Sequence, residues 1–125
     1  MDEGQLKAWT KQLAIQAAAL VGELPRETSA FVFGKQLIRS TSSVGANYRS
    51  ACRARSDLEM IAKLGVVEEE ADEAQYWLEL LAEANLVSPD RIKDLHDAYN
   101  QIVAIMVASR RTLRSRLDVG GNAPR

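Results

Sequence analysis

The densest set of side chains that could do chemistry is a run of carboxylates just past the middle of the chain. It comprises Glu68, Glu69, Glu70, Asp72 and Glu73. In a helical bundle, a carboxylate metal site also needs Glu-x-x-His pairs that project inward. The single histidine, His96, has Lys93 three residues before it, so that pattern is absent. We therefore expect no metal and no cofactor, and we interpret the run as a charged face.

Glu68 differs from its acidic neighbours because it falls on or beside the apolar stripe of its helix. A buried carboxylate without a partner is strongly unfavourable. We therefore predict that Glu68 is partly buried and pairs with a base such as Arg39.

Arginines form the second chemically capable group, since guanidinium groups bind phosphate. One set precedes the acidic run and the other closes the last predicted helix. The first set consists of Arg39, Arg49, Arg53 and Arg55, and the second of Arg110, Arg111, Arg114 and Arg116. The first set could pair with the acidic helix, in the same or a neighbouring subunit, or it could bind RNA or DNA. The second set has no acid near it in sequence before Asp118.

If this protein binds a nucleic acid, the residues expected to do so are Arg49, Arg53, Arg55, Arg110, Arg111 and Arg114. No aromatic residue is interleaved with either arginine set, which argues against stacking on single-stranded bases. Four further residues are expected at helix–helix or subunit interfaces, namely Arg39, Asn47, Glu68 and Trp77. The serines near residue 42 have no histidine or aspartate arranged to activate them. We therefore expect no catalytic residues and no enzymatic activity.

Charge is distributed unevenly although the total is only −1. Residues 1–55 carry a net charge of +4, residues 56–84 carry −8, and residues 85–125 carry +3. A near-neutral total argues against a general nucleic-acid coat. The asymmetry indicates instead that acidic and basic faces meet, within one chain or between subunits.

Four amphipathic helices must position these groups. Apolar residues at alternating three- and four-residue steps predict helices over about 4–23, 28–55, 56–84 and 88–117. Thr28 or Ser29 is the expected N-cap of the second, and Ser56 with Glu59 forms a capping-box pattern before the third. Gly34 and Gly45 lie inside the second helix, which indicates close packing there. The predicted fold is all-α, an antiparallel up-down-up-down four-helix bundle over 1–117 with a disordered tail over 118–125.

The second helix also carries a family pattern. Its matching residues are Gln36, Leu37, Arg39, Ser40, Ser43, Val44 and Asn47, followed by Arg53 and Ser56. They resemble the four-helix-bundle proteins encoded by intervening sequences of bacterial large-subunit ribosomal RNA genes. That family is related to the accessory variability protein of diversity-generating retroelements. Tyr48 to Ala51 replaces the usual Ala-Glu-Gly, and Met60 replaces the usual Phe.

The resemblance implies an all-α protein that assembles into a ring-like homopentamer. The role of such proteins is poorly defined, and nucleic-acid binding is the usual suggestion for them. A separate observation favours self-association: the second and third helices have more apolar side chains than one core requires. These are Val32, Phe33, Val66, Val67, Tyr76, Trp77 and Leu80.

We therefore expect a non-enzymatic oligomeric scaffold or adaptor, with a nucleic-acid-binding accessory protein as the alternative. Its partner is another copy of itself, with RNA or DNA as a further candidate and no membrane. The single cysteine, Cys52, excludes an intrachain disulfide and fits a cytoplasmic location.

Overall fold

The computed structural model describes residues 1–120, which form an all-α, up-down-up-down four-helix bundle, as predicted. The helices are α1 (Glu3–Gly22), α2 (Thr28–Cys52), α3 (Asp57–Glu83) and α4 (Pro89–Gly120). Helix α3 packs along both α2 and α4, while α1 packs mainly on α2 and touches α4 at few points. Helix α1 is therefore the least packed helix of the bundle.

Hydrogen bonds at the helix starts explain most of these boundaries. Ser56 Oγ accepts a hydrogen bond from the Glu59 amide at 3.1 Å, which is the serine half of the predicted capping box. The Glu59 carboxylate accepts from the Arg55 amide at 3.4 Å, one residue before the predicted donor. The N-cap prediction for α2 is wrong, because that cap is Glu27, which makes no side-chain capping bond. The reason is that the Glu27 carbonyl already accepts the Phe31 amide at 3.0 Å, so the helix begins one residue earlier.

The end of α3 is a left-handed turn at Asn85, where φ is 60°. The Leu86 amide donates to the Leu81 carbonyl, and the Asn85 amide donates to the Ala82 carbonyl, both at 3.0 Å. This pair of bonds is a Schellman motif, and it satisfies two carbonyls that the helix leaves open. Asparagine is one of the few residues that accept this conformation readily.

A single core runs through the bundle and is lined most continuously by α3. The apolar stripe of α3 is buried along its whole length: Ile61, Leu64, Val67, Ala71, Ala74, Leu78 and Leu81. From α4, Tyr99, Ile102 and Met106 are fully buried against it. Burial raises the pKa of the Tyr99 hydroxyl above its ordinary value.

Close packing between α1 and α2 explains the glycine at position 34. A Cβ added to Gly34 would lie 2.9 Å from Val21 Cγ1 and 3.3 Å from Leu24 Cδ1, so a side chain there would clash. Gly45 also faces α1, but a Cβ would lie 3.6 Å from Thr10 Oγ1, an ordinary contact. The predicted close approach is therefore required only at Gly34.

Two helix ends differ from the sequence prediction. Helix α2 ends at Cys52 rather than near Arg55, and residues 53–56 form the connection to α3. Helix α4 continues to Gly120, past Leu117. The rest of the predicted tail, residues 121–125, lies outside the described residues. None of the helices described is both long enough and apolar enough to cross a membrane.

Candidate functional site

Arg39 is the centre of the densest polar network between α2 and α3. Its guanidinium donates to Glu70 Oε2 at 2.9 Å and to Glu73 Oε1 at 2.5 Å. The same group donates to Gln36 Oε1 and Ser40 Oγ on its own helix, both at 3.1 Å. These bonds occupy several of the five donors of the guanidinium, so Arg39 ties two helices together.

The electrostatics of this network follow from the two acids facing one base. The hydrogen bond from Arg39 lowers the pKa of the Glu73 carboxyl, and a bond from Trp77 Nε1, at 3.2 Å, lowers it further. The bond to Glu73 in turn raises the pKa of Arg39. Trp77 also contacts Phe33, with ring centroids 6.1 Å apart. The predicted interhelical roles of Arg39 and Trp77 are therefore seen within a single chain.

Glu68 pairs with a different base from the one predicted. Its Oε1 accepts from Arg110 Nη1 at 3.1 Å, and Arg39 is occupied by the other two acids. Arg110 Nε also donates to the Ile61 carbonyl at 3.2 Å, so the guanidinium lies across α3. Gly65 makes room for it, because a Cβ there would lie 3.3 Å from Arg110 Cζ.

The other arginines of α4 lie at the surface beside acids that are distant in sequence. Arg111 and Arg114 line a depression of about 340 Å³ that also contains Glu68 and Asp118. Arg116 lies 3.6 Å from Asp57, at the start of α3. Asp118 is the nearest acid to this set in sequence, and folding adds the α3 carboxylates Glu68 and Asp57 to its surroundings.

Asn47 makes its hydrogen bonds within α2. Its Nδ2 donates to the Ser43 carbonyl at 2.9 Å and to Ser43 Oγ at 2.8 Å. The predicted bond to another helix is not among its contacts within residues 1–120. Asn47 is half-buried, and its hydrogen bonds stabilise its own helix. The Arg39–Gln36 hydrogen bond, earlier in α2, also lies within that helix.

Arg49 of α2 and Arg53, just after the end of that helix, have a different environment. Arg49 and Arg53 line a groove of about 870 Å³ between α1 and α2, together with Lys7 and Lys11. The other lining residues are small, apolar or neutral: Ala8, Thr10, Gln12, Ala14, Ile15, Ala18, Ser42, Gly45 and Ala46. No carboxylate lines this groove, and none of its four bases forms an ion pair within residues 1–120. Arg55 is exposed in the connection that follows.

The apolar surplus predicted on α2 and α3 is only partly at the surface. Val67 was expected there, but it is completely buried in the core of its own chain. Phe33, Trp77 and Leu80 are half-buried, whereas Val32, Val66 and Tyr76 are exposed. Sequence periodicity missed the most exposed large apolar side chain of α2, Phe31, which is 70% exposed.

Metal-binding geometry is absent from the part of the chain that the structure describes. No group of three or more histidine, cysteine, aspartate or glutamate side chains converges there. His96 Nε2 lies 2.8 Å from Glu79 Oε2, which links α4 to α3 as a pair.

Comparison with known proteins places this architecture in a family. Residues 4–108 match the model of the 23S rRNA-intervening sequence protein family. This chain belongs to that family. This is the family that the pattern of Gln36, Arg39 and Asn47 resembles. In the structure, Gln36 and Arg39 belong to one hydrogen-bond network. The further relation to the accessory variability protein stays a prediction.

A solved relative supports the same assignment. The chain is similar to a Bacteroides thetaiotaomicron protein of the S23 ribosomal protein family, described as having unknown function, with a TM-score of 0.80. The two are 30% identical, and the match covers 89% of this chain and 99% of that one. No curated protein matches this chain.

Two elements of these sites were missed by sequence reasoning. Lys7 and Lys11 join Arg49 and Arg53 only because α1 folds back antiparallel on α2, and the spacing of the two lysines on one helix face was the available signal. Gly65 is the second missed element, and the available signal was that a glycine lies in the interior of a long helix.

Proposed function

We propose that this protein is a non-enzymatic scaffold or adaptor that works as a homo-oligomer. The observation that supports this is the set of large apolar side chains that α2 leaves at the surface. Phe31, Val32 and Ile38 are 70%, 45% and 37% exposed, respectively. Phe31 and Ile38 line one surface hollow, and contiguous exposed apolar surface is typical of a protein–protein interaction site.

A homopentamer is the oligomer that the family resemblance favours. Light scattering tests it, because the expected particle mass is five times the 13.8 kDa mass of the chain. A particle mass equal to another whole number of chains would exclude the pentamer and agree with the oligomeric scaffold. A mass of one chain at every concentration would reject both.

Nucleic-acid binding is the second candidate, and the acid-free α1/α2 groove supports it. Four bases on its walls could contact phosphates without competition from a lining carboxylate. Binding through about four phosphate contacts would give a slope of log K against log salt of roughly −3 to −4 on duplex DNA.

A titration with duplex DNA and structured RNA at several salt concentrations tests this candidate. The variant Lys11→Glu/Arg49→Glu should bind more weakly and with a shallower salt slope. The matched control Arg91→Glu/Lys93→Glu makes the same charge change outside the groove and outside the arginines expected to bind nucleic acid. No binding at low salt, or binding without a salt slope, would reject the candidate.

A further inference from the structure

We propose that the α1/α2 groove of one chain binds the outer face of α3 from a second copy. This inference rests on the proposed self-association, and it assigns the two surfaces that meet. The α3 face is defined by the exposed residues that recur on one side of that helix. They are Leu58, Ala62, Val66, Glu69, Asp72, Tyr76, Glu79 and Glu83.

The groove has an apolar end and a basic end. The large basic groove stops at Ser42, and one helical turn away Ile38 lines a second hollow of about 390 Å³. Six of its nine lining residues are apolar, including Val21, Leu24 and Phe31, and the other three are the charged Arg26, Glu27 and Lys35. Because α1 and α2 are antiparallel neighbours, the two hollows form one continuous surface along the helix pair.

The α3 face has the matching order. Its first half is apolar, with Leu58, Ala62 and Val66 exposed. Its second half contains Glu69, Asp72 and Glu83. These three carboxylates form no ion pair within residues 1–120, whereas Glu68, Glu70, Glu73 and Glu79 of the same helix are paired with bases of their own chain.

The charged and apolar parts of the α1/α2 groove are therefore complementary to those of the α3 face, in the same order along each helix. The apolar end of the groove faces the apolar half of α3 when the four groove bases face the unpaired acids. Residues 31–49 of α2 extend about 27 Å and residues 58–83 of α3 about 38 Å, so the α3 face is long enough to cover the groove. Complementary charge of this kind fixes which surfaces meet and in which orientation.

A second copy of the protein is favoured over nucleic acid as the occupant of the groove, because the groove has an apolar end and a floor of small residues. A phosphate backbone satisfies the four bases but leaves Phe31, Ile38 and Ile15 in water. A second copy covers both kinds of surface at once. The floor is formed by Ala8, Ala14, Ala18, Gly45 and Ala46, whose small size lets another helix approach closely.

The contact joins two different surfaces, so it is heterologous. Each chain then has one groove and one α3 face to offer to different neighbours. Such head-to-tail contacts produce closed rings when the rotation between neighbours closes, and open fibres when it does not.

Charge reversal on each surface tests the pairing. The groove variant is Lys11→Glu/Arg49→Glu, and the α3 variant is Glu69→Lys/Asp72→Lys. The charge-swapped chain contains all four substitutions and has the wild-type net charge. Light scattering gives the particle mass of each, circular dichroism confirms that each is folded, and Lys93→Glu/Arg111→Glu controls for charge change elsewhere.

We expect each single-surface variant to fall to the mass of one chain, and the charge-swapped chain to regain the wild-type mass. A wild-type oligomer whose mass survives both single-surface reversals would overturn this pairing and leave the proposed scaffold intact. A wild-type monomer would instead defeat the proposed function itself. If the groove variant keeps its mass and loses only duplex DNA binding, the groove is a phosphate site and the pairing is wrong.

Discussion

The arginines of α2 and of the connection that follows it lie in two contrasting environments. Arg39 faces α3 and is held by two carboxylates and two polar side chains of its own chain. Arg49 and Arg53 face the α1/α2 groove, where no carboxylate lies among the lining residues. The same residue type therefore stabilises the fold at one position and remains available for another molecule at the other. Neighbouring helices decide the difference, since α3 carries the acids and α1 carries lysines and alanines.

The largest expected difference between the core side of α3 and the α1/α2 groove is in how much each buried or exposed side chain contributes to stability. Leu78→Ala removes a fully buried side chain on α3 and should lower the free energy of unfolding by about 2–5 kcal/mol. Ile15→Ala, in the exposed groove, should change it by no more than about 0.5 kcal/mol. Urea denaturation at low protein concentration measures both. Equal losses would show that the groove is part of the folding core.

Glycine substitutions compare the two ends of the α1/α2 contact. Gly34→Ala should destabilise the chain by about 1–2 kcal/mol, because the new Cβ meets Val21 at 2.9 Å. Gly45→Ala should stabilise it by about 0.5–1 kcal/mol, since alanine favours a helix and the contact to Thr10 is ordinary. Thermal unfolding of the two variants at low protein concentration, where the chains are separate, should therefore shift in opposite directions. A shared direction would contradict the packing described at one of them.

Removing single arginines compares their roles directly. Arg39→Met should lower the unfolding free energy by on the order of 1 kcal/mol, since it leaves Glu70 and Glu73 without their shared base. Arg53→Met should leave it unchanged within about 0.5 kcal/mol. Urea denaturation of the two variants under one buffer decides the matter. The comparison fails if Arg53→Met costs as much as Arg39→Met.

The smallest effect is the pH dependence of the Arg39 network. The bond from Arg39 holds the pKa of Glu73 below its ordinary value of 4.5. Glu73 therefore contributes stability above pH 4.5, and that contribution is lost as pH falls through its lowered pKa. NMR titration should find the Glu73 midpoint below 4.5 in the wild-type chain. In Arg39→Met the midpoint should rise, and an unchanged midpoint would rule out the bond as its cause.

The bundle was predictable because its signals are local. The α3 stripe from Ile61 to Leu81, the Ser56 cap and the left-handed Asn85 all follow from spacing or from one residue's preferences. The N-cap of α2 was not predictable, since the choice between Glu27 and Thr28 depends on which carbonyl accepts the Phe31 amide.

The sites were predictable only in kind, because ion pairs depend on contacts between helices. Sequence indicated that α2 bases meet α3 acids, which is true of Arg39. It assigned Glu68 to the wrong base, since the alignment of α3 against α4 brings Arg110 to it. It also omitted Lys7 and Lys11 from the basic surface, because only the fold brings α1 beside Arg49.

Sedimentation velocity of the wild-type chain beside Lys11→Glu/Arg49→Glu tests the central claim most directly, namely that the groove bases serve a second copy. We predict a wild-type particle of several chains, with a mass that is a whole multiple of 13.8 kDa, and a variant that sediments as one chain. A wild-type protein that sediments as one chain at every concentration, or a variant as large as the wild type, would contradict it.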